Sequence, residues 1–262
     1  MANSNFENSR VSCKLREGTI SEERIFENHC HPQYELIAVL GGAVSAVIEG
    51  SKIELTAGEV AIIPPLCYHS IYASGGRDYK RITALFGEEL VPSEIAGDFK
   101  GNSAKHYVSS HSSVGNVLDT LRSTLLEERI EKYPSLIESL MVQLIYIHTY
   151  KRDERKEGEA NPRVKLITEY IDAHISEKIH LDDIASSLFL SKSTVCHLFC
   201  EEMKISVKQY ILQKKLSYAS KLMSEGVSAA DAALRIGYEN YANFYKVYKK
   251  IFGVNPAHQS KK

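Results

Sequence analysis

The sequence predicts an α+β protein of two domains: a β-barrel or jelly roll with two helices, followed by an all-helical C-terminal domain. The chain has 262 residues, more than the roughly 100–200 of one typical domain. Its apolar pattern changes from alternation to helical spacing after Pro92. Its charge changes sign at Pro162, since residues 163–262 hold 15 Lys and Arg against 10 Asp and Glu, and residues 1–162 hold 17 against 23.

Composition and charge narrow the class of protein. The chain is 44% hydrophobic and 25% charged, which is typical of a soluble globular protein. The polar start and the lack of about 18 consecutive apolar residues predict a cytoplasmic protein without membrane contact. Five cysteines at irregular spacing predict reduced thiols and no structural disulfide. The basic C-terminal half is the candidate for nucleic-acid binding.

Between Val11 and Phe86, short apolar or alternating runs separated by turn residues predict antiparallel strands. So many strands must close or double over to protect their edges, which favours a small barrel or jelly roll. The clearest runs are Tyr34–Leu40, Ala43–Ile48, Lys52–Leu55, Glu59–Ile63 and Tyr79–Phe86.

Two amphipathic helices follow, one through Val114–Leu125 and one through Leu136–Ile145. The second is apolar over most of its circumference, so we expect it to contact a dimer partner as well as the barrel. The charge run at 151–162 (KRDERKEGEANP) predicts a linker between domains at 1–150 and 163–262.

The C-terminal half contains two similar pairs of short helices. In Ile179–Met203, an apolar face ends near Leu188 and Ser191 caps a second helix. Nearly fifty residues later, Ser228 caps a helix, Gly237 makes a turn, and a second helix begins at Asn240 and ends before Gly253. Each pair is typical of a helix-turn-helix unit.

The segment between the pairs, Val207–Met223, predicts a helix of about 26 Å. A rigid spacer of this kind would let one chain reach successive major-groove segments, which lie about 34 Å apart.

The run Ile167–Pro256 resembles the DNA-binding module of the AraC/XylS regulators. The resemblance rests on HLDDIASSLFLSKSTVCHLF, QYILQKKLSYASKLM and AALRIGYENYANFYKVYKKIFGVNP. It implies double-stranded DNA as a partner and places DNA-facing positions on Ser193, Thr194, Cys196 and His197 in the first recognition helix. In the second it places them on Tyr241, Ala242, Asn243, Tyr245 and Lys246.

Departures from the family pattern shift the expected readout toward the second recognition helix. Lys215 stands where the family usually has Arg, and Lys204 replaces a usual turn Gly. The first helix presents small, neutral side chains apart from His197. Asn243 can pair with adenine and Lys246 can reach phosphate or guanine, so we expect specificity to lie there.

Cys196 and Cys200 are four residues apart in the first recognition helix. They could form a redox pair, but we expect one exposed and one buried thiol. Two thiols without further ligands do not make a zinc site.

In the N-terminal half, His29, His31, Glu35 and His69, with Gly58–Pro64, resemble the two motifs of the cupin barrel. In metal cupins these four residue types ligate Fe, Mn, Ni or Zn, whereas AraC-type sensor domains often bind a sugar or other polar ligand without metal. We expect the metal-free pocket and no cofactor; a divalent metal and purely internal hydrogen bonds are the alternatives. Weaker pocket candidates are Tyr34, Tyr68, Arg16 and Arg81.

Together these features predict a transcription regulator with a cupin-like sensor and dimerisation domain. We expect a homodimer that activates transcription, contacts RNA polymerase and responds to a small polar, sugar-related effector. The competing hypotheses are a metal-dependent cupin enzyme, a dioxygenase or isomerase with a helical appendage, and a ligand-independent regulator whose barrel only dimerises.

Overall fold

The computed structural model describes residues 3–20, 24–25, 28–73, 76–99, 112–127, 130–150 and 161–256. It divides into two compact units, one of Met1–Glu27 with Gln33–Gly158 and one of Asn28–Pro32 with Glu159–Lys262. Residues 151–160, most of the predicted linker, lie outside the described residues.

The first unit contains two antiparallel sheets, the double-sheet arrangement of the predicted barrel or jelly roll. The five-stranded sheet has the order β1-β2-β9-β4-β7, and the four-stranded sheet has the order β3-β8-β5-β6. The strands are β1 (Asn3–Glu7), β2 (Val11–Ile20), β3 (Arg24–Ile25), β4 (Tyr34–Gly41), β5 (Ala43–Ile48), β6 (Ser51–Thr56), β7 (Val60–Ile63), β8 (His69–Ala73) and β9 (Gly76–Phe86).

Two layers of core enclose the five-stranded sheet. One, the inter-sheet core, joins Ile37 and Ile63 to Val44 and Leu55 of the other sheet. The second core covers the opposite face with helices α1 (Ser112–Leu125) and α2 (Pro134–Tyr150). Because alternate residues of a strand point to opposite faces, both faces of β4 meet a core, and this explains the continuous hydrophobic run that follows Glu35.

Strand β1 falls in a segment that the sequence pattern marks only as polar. Its residues alternate in exposure, and Phe6 alone is buried. Phe6 pairs with Cys13 of β2 and joins the helix-facing core. One apolar residue in five is too weak a signal to predict a strand, but pairing with β2 satisfies the backbone groups on one edge of β1.

The second unit is helical. Its helices are α3 (Pro162–Ala173), α4 (Leu181–Ser187), α5 (Lys192–Met203), α6 (Val207–Ser224), α7 (Ala229–Arg235) and α8 (Tyr241–Phe252). The short segment around Cys30 belongs to this unit because the Ser217 hydroxyl on α6 donates to the Cys30 carbonyl at 2.8 Å. None of the described helices has the length and apolarity needed to cross a membrane.

Helix α6 begins with a capping box, in which Ser206 and Gln209 each bond the other's backbone N–H. Lys215 is buried on this helix and donates to the carbonyl of Ile236 at 2.7 Å and to that of Glu177. Burial lowers the pKa of Lys215. Although it stands where Arg is usual, Lys215 ties α6 to the chain on both sides of it.

Candidate functional site

Each predicted helix pair is present as two helices joined by a tight left-handed turn. Between α4 and α5 the turn residue is Phe189, with φ of 55°. Between α7 and α8 it is Gly237, with φ of 85°. In both turns the next amide bonds back to the preceding helix at 2.9 Å, from Leu190 to Ala185 and from Tyr238 to Ala233. The two pairs therefore share one local geometry.

Helix α5 places Ser193, Cys196 and His197 on its exposed surface. The fourth predicted residue, Thr194, is half-buried, and its hydroxyl lies 2.8 Å from that of the N-cap Ser191. The Nδ1 atom of His197 lies 3.6 Å from a carboxylate oxygen of Glu201, one turn further along. Any anion approaching His197 therefore also meets a carboxylate.

Helix α8 exposes Tyr241, Ala242, Asn243 and Lys246, four of the five residues predicted there. The fifth, Tyr245, is half-buried and donates its hydroxyl to Asn255 at 2.7 Å. The helix is held by the fully buried rings of Phe244 and Tyr248.

The sequence prediction missed two exposed lysines in the last turn of α8, Lys249 and Lys250. The spacing in the sequence could have identified them, because they follow Lys246 by three and four residues and so lie on a neighbouring part of the helix surface. They extend the basic surface of α8.

The expectation of one buried and one exposed thiol on α5 is wrong. Cys196 and Cys200 are both exposed. Residues four apart lie on the same face of a helix, and the buried face of α5 is already taken by Val195, Phe199 and Met203. Both thiols therefore share the solvent face.

In the first unit, two polar side chains meet inside the inter-sheet core. Glu35 on β4 is 6% exposed and His69 on β8 is 1% exposed, and the His69 Nε2 atom lies 2.9 Å from a Glu35 carboxylate oxygen. The Nδ1 atom faces the Cys67 carbonyl at 2.9 Å. Burial opposes a charge on His69, but the hydrogen bond and negative charge of Glu35 outweigh it and raise the pKa of His69.

His29 and His31 complete the predicted group of four. Their rings lie 5.4 Å apart, and both side chains are partly exposed. By chain contacts, His29 and His31 lie in the segment Asn28–Pro32 of the second unit, whereas Glu35 and His69 belong to the first. This donor set, three imidazoles and one carboxylate, fits a divalent transition metal, and the same groups can donate to and accept from the hydroxyls of a polar ligand.

The weaker pocket candidates lie in different parts of the first unit. Arg81 is 9% exposed, pairs directly with Arg16 across β2 and β9, and lies over the Tyr79 ring at 5.8 Å. Burial lowers the pKa of Arg81, and the nearby Tyr79 and Glu35 oppose this shift. Arg16 turns back to the sheet edge, where it donates to the Asn5 side chain at 2.9 Å.

Tyr68 is also buried, immediately before β8. Tyr34 must be removed from the pocket candidates, because it stacks on Phe86 and joins the core that faces α1 and α2. Glu35, its neighbour in β4, takes the opposite face, as strand alternation requires. Tyr79 was missed, although it shares a face of β9 with Arg81.

Comparisons with known proteins agree with this two-unit organisation. Residues 19–145 match the AraC-like ligand binding domain, and residues 184–262 match the helix-turn-helix domain. The chain belongs to the AraC family of transcriptional regulators. Its relatives are regulators and not enzymes, so the hypothesis of a metal-dependent cupin enzyme is dropped.

Three AraC-family relatives show the extent of the likeness. The probable transcriptional regulator LumQ of Photobacterium leiognathi is 26% identical over 92% of this chain and 94% of its own length. The uncharacterised HTH-type regulator YdiP of Escherichia coli is 24% identical over 88% and 79%. The arabinose operon regulatory protein of Salmonella typhimurium is 27% identical over 48% and 46%.

Proposed function

We propose that this AraC-family regulator binds double-stranded DNA with α5 and α8 as its two recognition helices and α6 as the spacer between them. The observation that carries the proposal is the repeated geometry of the two helix pairs, each presenting a capped helix with a solvent-exposed face. Helix α6 has 18 residues and is therefore about 27 Å long. That length suits two helices entering successive major-groove segments.

We assign the DNA contacts to the exposed side chains of these helices. On α8, Asn243 offers an amide for a bidentate bond to adenine, and Lys246 offers an ammonium for phosphate or guanine. Tyr241 adds an exposed aromatic edge. On α5, His197 is the strongest polar candidate, joined by Ser193, Thr194 and Cys196. Tyr245 supports α8 through Asn255 in addition to any contact with DNA.

A mobility-shift titration with the region upstream of the protein's own gene tests DNA binding. Lys246→Ala should weaken binding to all sequences and reduce the salt dependence by about one unit. The matched control is Lys165→Ala, which removes an exposed lysine from α3 and should leave binding unchanged. Absence of any complex at low salt would contradict the proposal, because phosphate contacts are strongest there.

We further propose that the polar group of the inter-sheet core binds the effector. A sugar-related ligand suits it, because His69, Glu35 and Arg81 supply both donors and acceptors close to buried aromatic surface. The likeness to a regulator named for the arabinose operon supports a sugar. Effector binding would alter DNA affinity only if the ligand binds two conformations of the protein unequally.

Calorimetry distinguishes the alternatives for this site. Binding of arabinose or a related sugar that Glu35→Gln abolishes would establish a polar effector. Stoichiometric retention of Fe, Mn, Ni or Zn that His31→Ala abolishes would establish a metal centre, with the four residues as its ligands. If neither a panel of sugars nor these metals bind while DNA binding persists, the ligand-independent hypothesis is favoured. Glu54→Gln, which neutralises an exposed carboxylate on β6, is the matched control for Glu35→Gln and should leave sugar binding unchanged.

We infer a homodimer from the exposed apolar residues on α2 and next to it. Leu136 and Tyr150 lie on α2 and Tyr133 directly precedes it, and these large side chains are 44%, 81% and 62% exposed. A partner subunit that covers α2 would remove them from water. Light scattering should show a dimer that Leu136→Glu converts to monomer.

We also propose that the protein is a cytoplasmic activator that contacts RNA polymerase. In vitro transcription from a promoter that carries the bound site should rise on addition of the protein.

A further inference from the structure

We propose that Cys196 and Cys200 form a dithiol site on the exposed face of α5 that binds a soft monovalent cation of the copper(I) class. The part of this proposal that concerns DNA rests on the assignment of α5 as a recognition helix. The binding of the cation does not. The two thiols lie one helical turn apart and are both exposed, so a small ion reaches them without rearrangement of the core.

The spacing favours a bridging ion over a disulfide. Side chains four residues apart in a helix have Cβ atoms about 5–6 Å apart, whereas a disulfide requires roughly 3.5–4.5 Å. A disulfide would therefore distort α5. An ion placed between the sulfur atoms requires no such approach, so the helix can remain intact when both thiols are engaged.

The number of ligands selects the class of ion. Zinc requires four ligands, and within the described part of the chain no third His, Cys, Asp or Glu groups with these two sulfurs. Copper(I) prefers soft thiolate ligands and is stable with two of them in a nearly linear arrangement. The dithiol is thus suited to copper(I) and unsuited to zinc.

Binding changes the charge of the helix face. Two S–H bonds break, both protons pass to buffer, and two copper–sulfur bonds form, with no change of oxidation state. The neutral thiol pair and one monovalent cation become a complex of charge minus one. The exposed Glu201 already lies next to Cys200 on α5, so loading increases negative charge on a surface that we assign to DNA and should weaken phosphate contact.

Anaerobic titration of the full chain with copper(I), against a chromogenic chelator, tests the site. The wild type should bind one more ion than Cys200→Ser and release two protons for it. A matched control is the double variant Cys200→Ser with Glu201→Cys, which keeps two exposed thiols but separates them by about 140° around the helix. Equal binding by the wild type and either variant would overturn the dithiol site.

The effect on DNA is measured separately. Copper(I) should lower the DNA affinity of the wild type by about tenfold, the size expected for loss of one good groove contact, and should leave Cys200→Ser unaffected. An unchanged wild-type affinity would overturn the regulatory part of the proposal. If the metal-free protein binds no DNA, the proposed function has failed, but the titration and proton release still decide the dithiol site.

Discussion

Helices α5 and α8 occupy equivalent places in two helix pairs, yet their surfaces differ strongly. Each N-cap side chain accepts the amide of the third helical residue, Ser191 from Thr194 at 3.1 Å and Asn240 from Asn243 at 3.2 Å. Each helix ends at a left-handed residue, Lys204 or Gly253. The charged residues of α5 are one Lys and two Glu, whereas those of α8 are three Lys.

The comparison separates what builds a helix pair from what binds DNA. Caps, turns and the buried face reproduce one scaffold, although the side chains that form it are not the same. The exposed face is unconstrained by packing, and there Cys200 and Glu201 of α5 stand where α8 has Lys249 and Lys250. We therefore expect attraction to phosphate and the strongest base contact to be concentrated in α8.

The largest predicted difference concerns the buried anchors. Phe244 of α8 and Val195 of α5 occupy equivalent, fully buried positions. Phe244→Ala should lower the free energy of unfolding by about 3–5 kcal/mol, and Val195→Ala by about 2 kcal/mol, because the cavity is smaller. Urea denaturation followed by circular dichroism measures both. Leu234→Ala, at an exposed position, is the control. If Phe244→Ala and Val195→Ala lower the free energy of unfolding by the same amount, the buried residues of the two helix pairs do not differ in this way.

The next effect is electrostatic. Lys249→Ala with Lys250→Ala should reduce the slope of log affinity against log salt by about two. Glu201→Gln on α5 should instead raise DNA affinity at low salt by a few-fold, because a carboxylate is removed from the same surface. Fluorescence anisotropy over a range of salt concentrations measures both variants. A loss of affinity in Glu201→Gln would show that α5 does not face phosphate.

The smallest effect concerns the two turns. A non-glycine residue in the left-handed region costs about 1 kcal/mol, so Phe189→Gly should stabilise the unit by about that amount. Gly237→Ala should destabilise it similarly, from backbone strain alone, since an added Cβ meets Lys215 Nζ only at 3.6 Å. Phe189→Ala, which keeps the strain and removes the ring, is the control. Changes of the same sign at both turns would contradict the shared geometry.

Much of the fold was predictable because periodicity reports burial directly. The boundaries of β5, and the caps at Ser191, Ser228 and Asn240, agree with the sequence prediction. These features depend on local chemistry, which a single sequence carries.

The remaining features depend on contacts between distant residues. Strand β1 needs its partner β2, and the place of Tyr34 depends on helices that follow about 80 residues later. The buried Cys30 donates its thiol to the hydroxyl of Ser217, a residue 187 positions away. No local pattern in the sequence marks such contacts. In the candidate site, alternation favoured Glu35 over Tyr34, but the approach of His69 to Glu35 required the register of the sheets.

The most direct test of the central claim compares base selection at the equivalent positions Asn243 and Thr194. Each variant, Asn243→Ala and Thr194→Ala, is used to select sites from a pool of randomised DNA, and the preference at each base is measured. If α8 carries the greater share of readout, Asn243→Ala relaxes the preference at one adenine position by about 1–3 kcal/mol, and Thr194→Ala changes little. The opposite result, with preference lost in Thr194→Ala and retained in Asn243→Ala, would contradict the account.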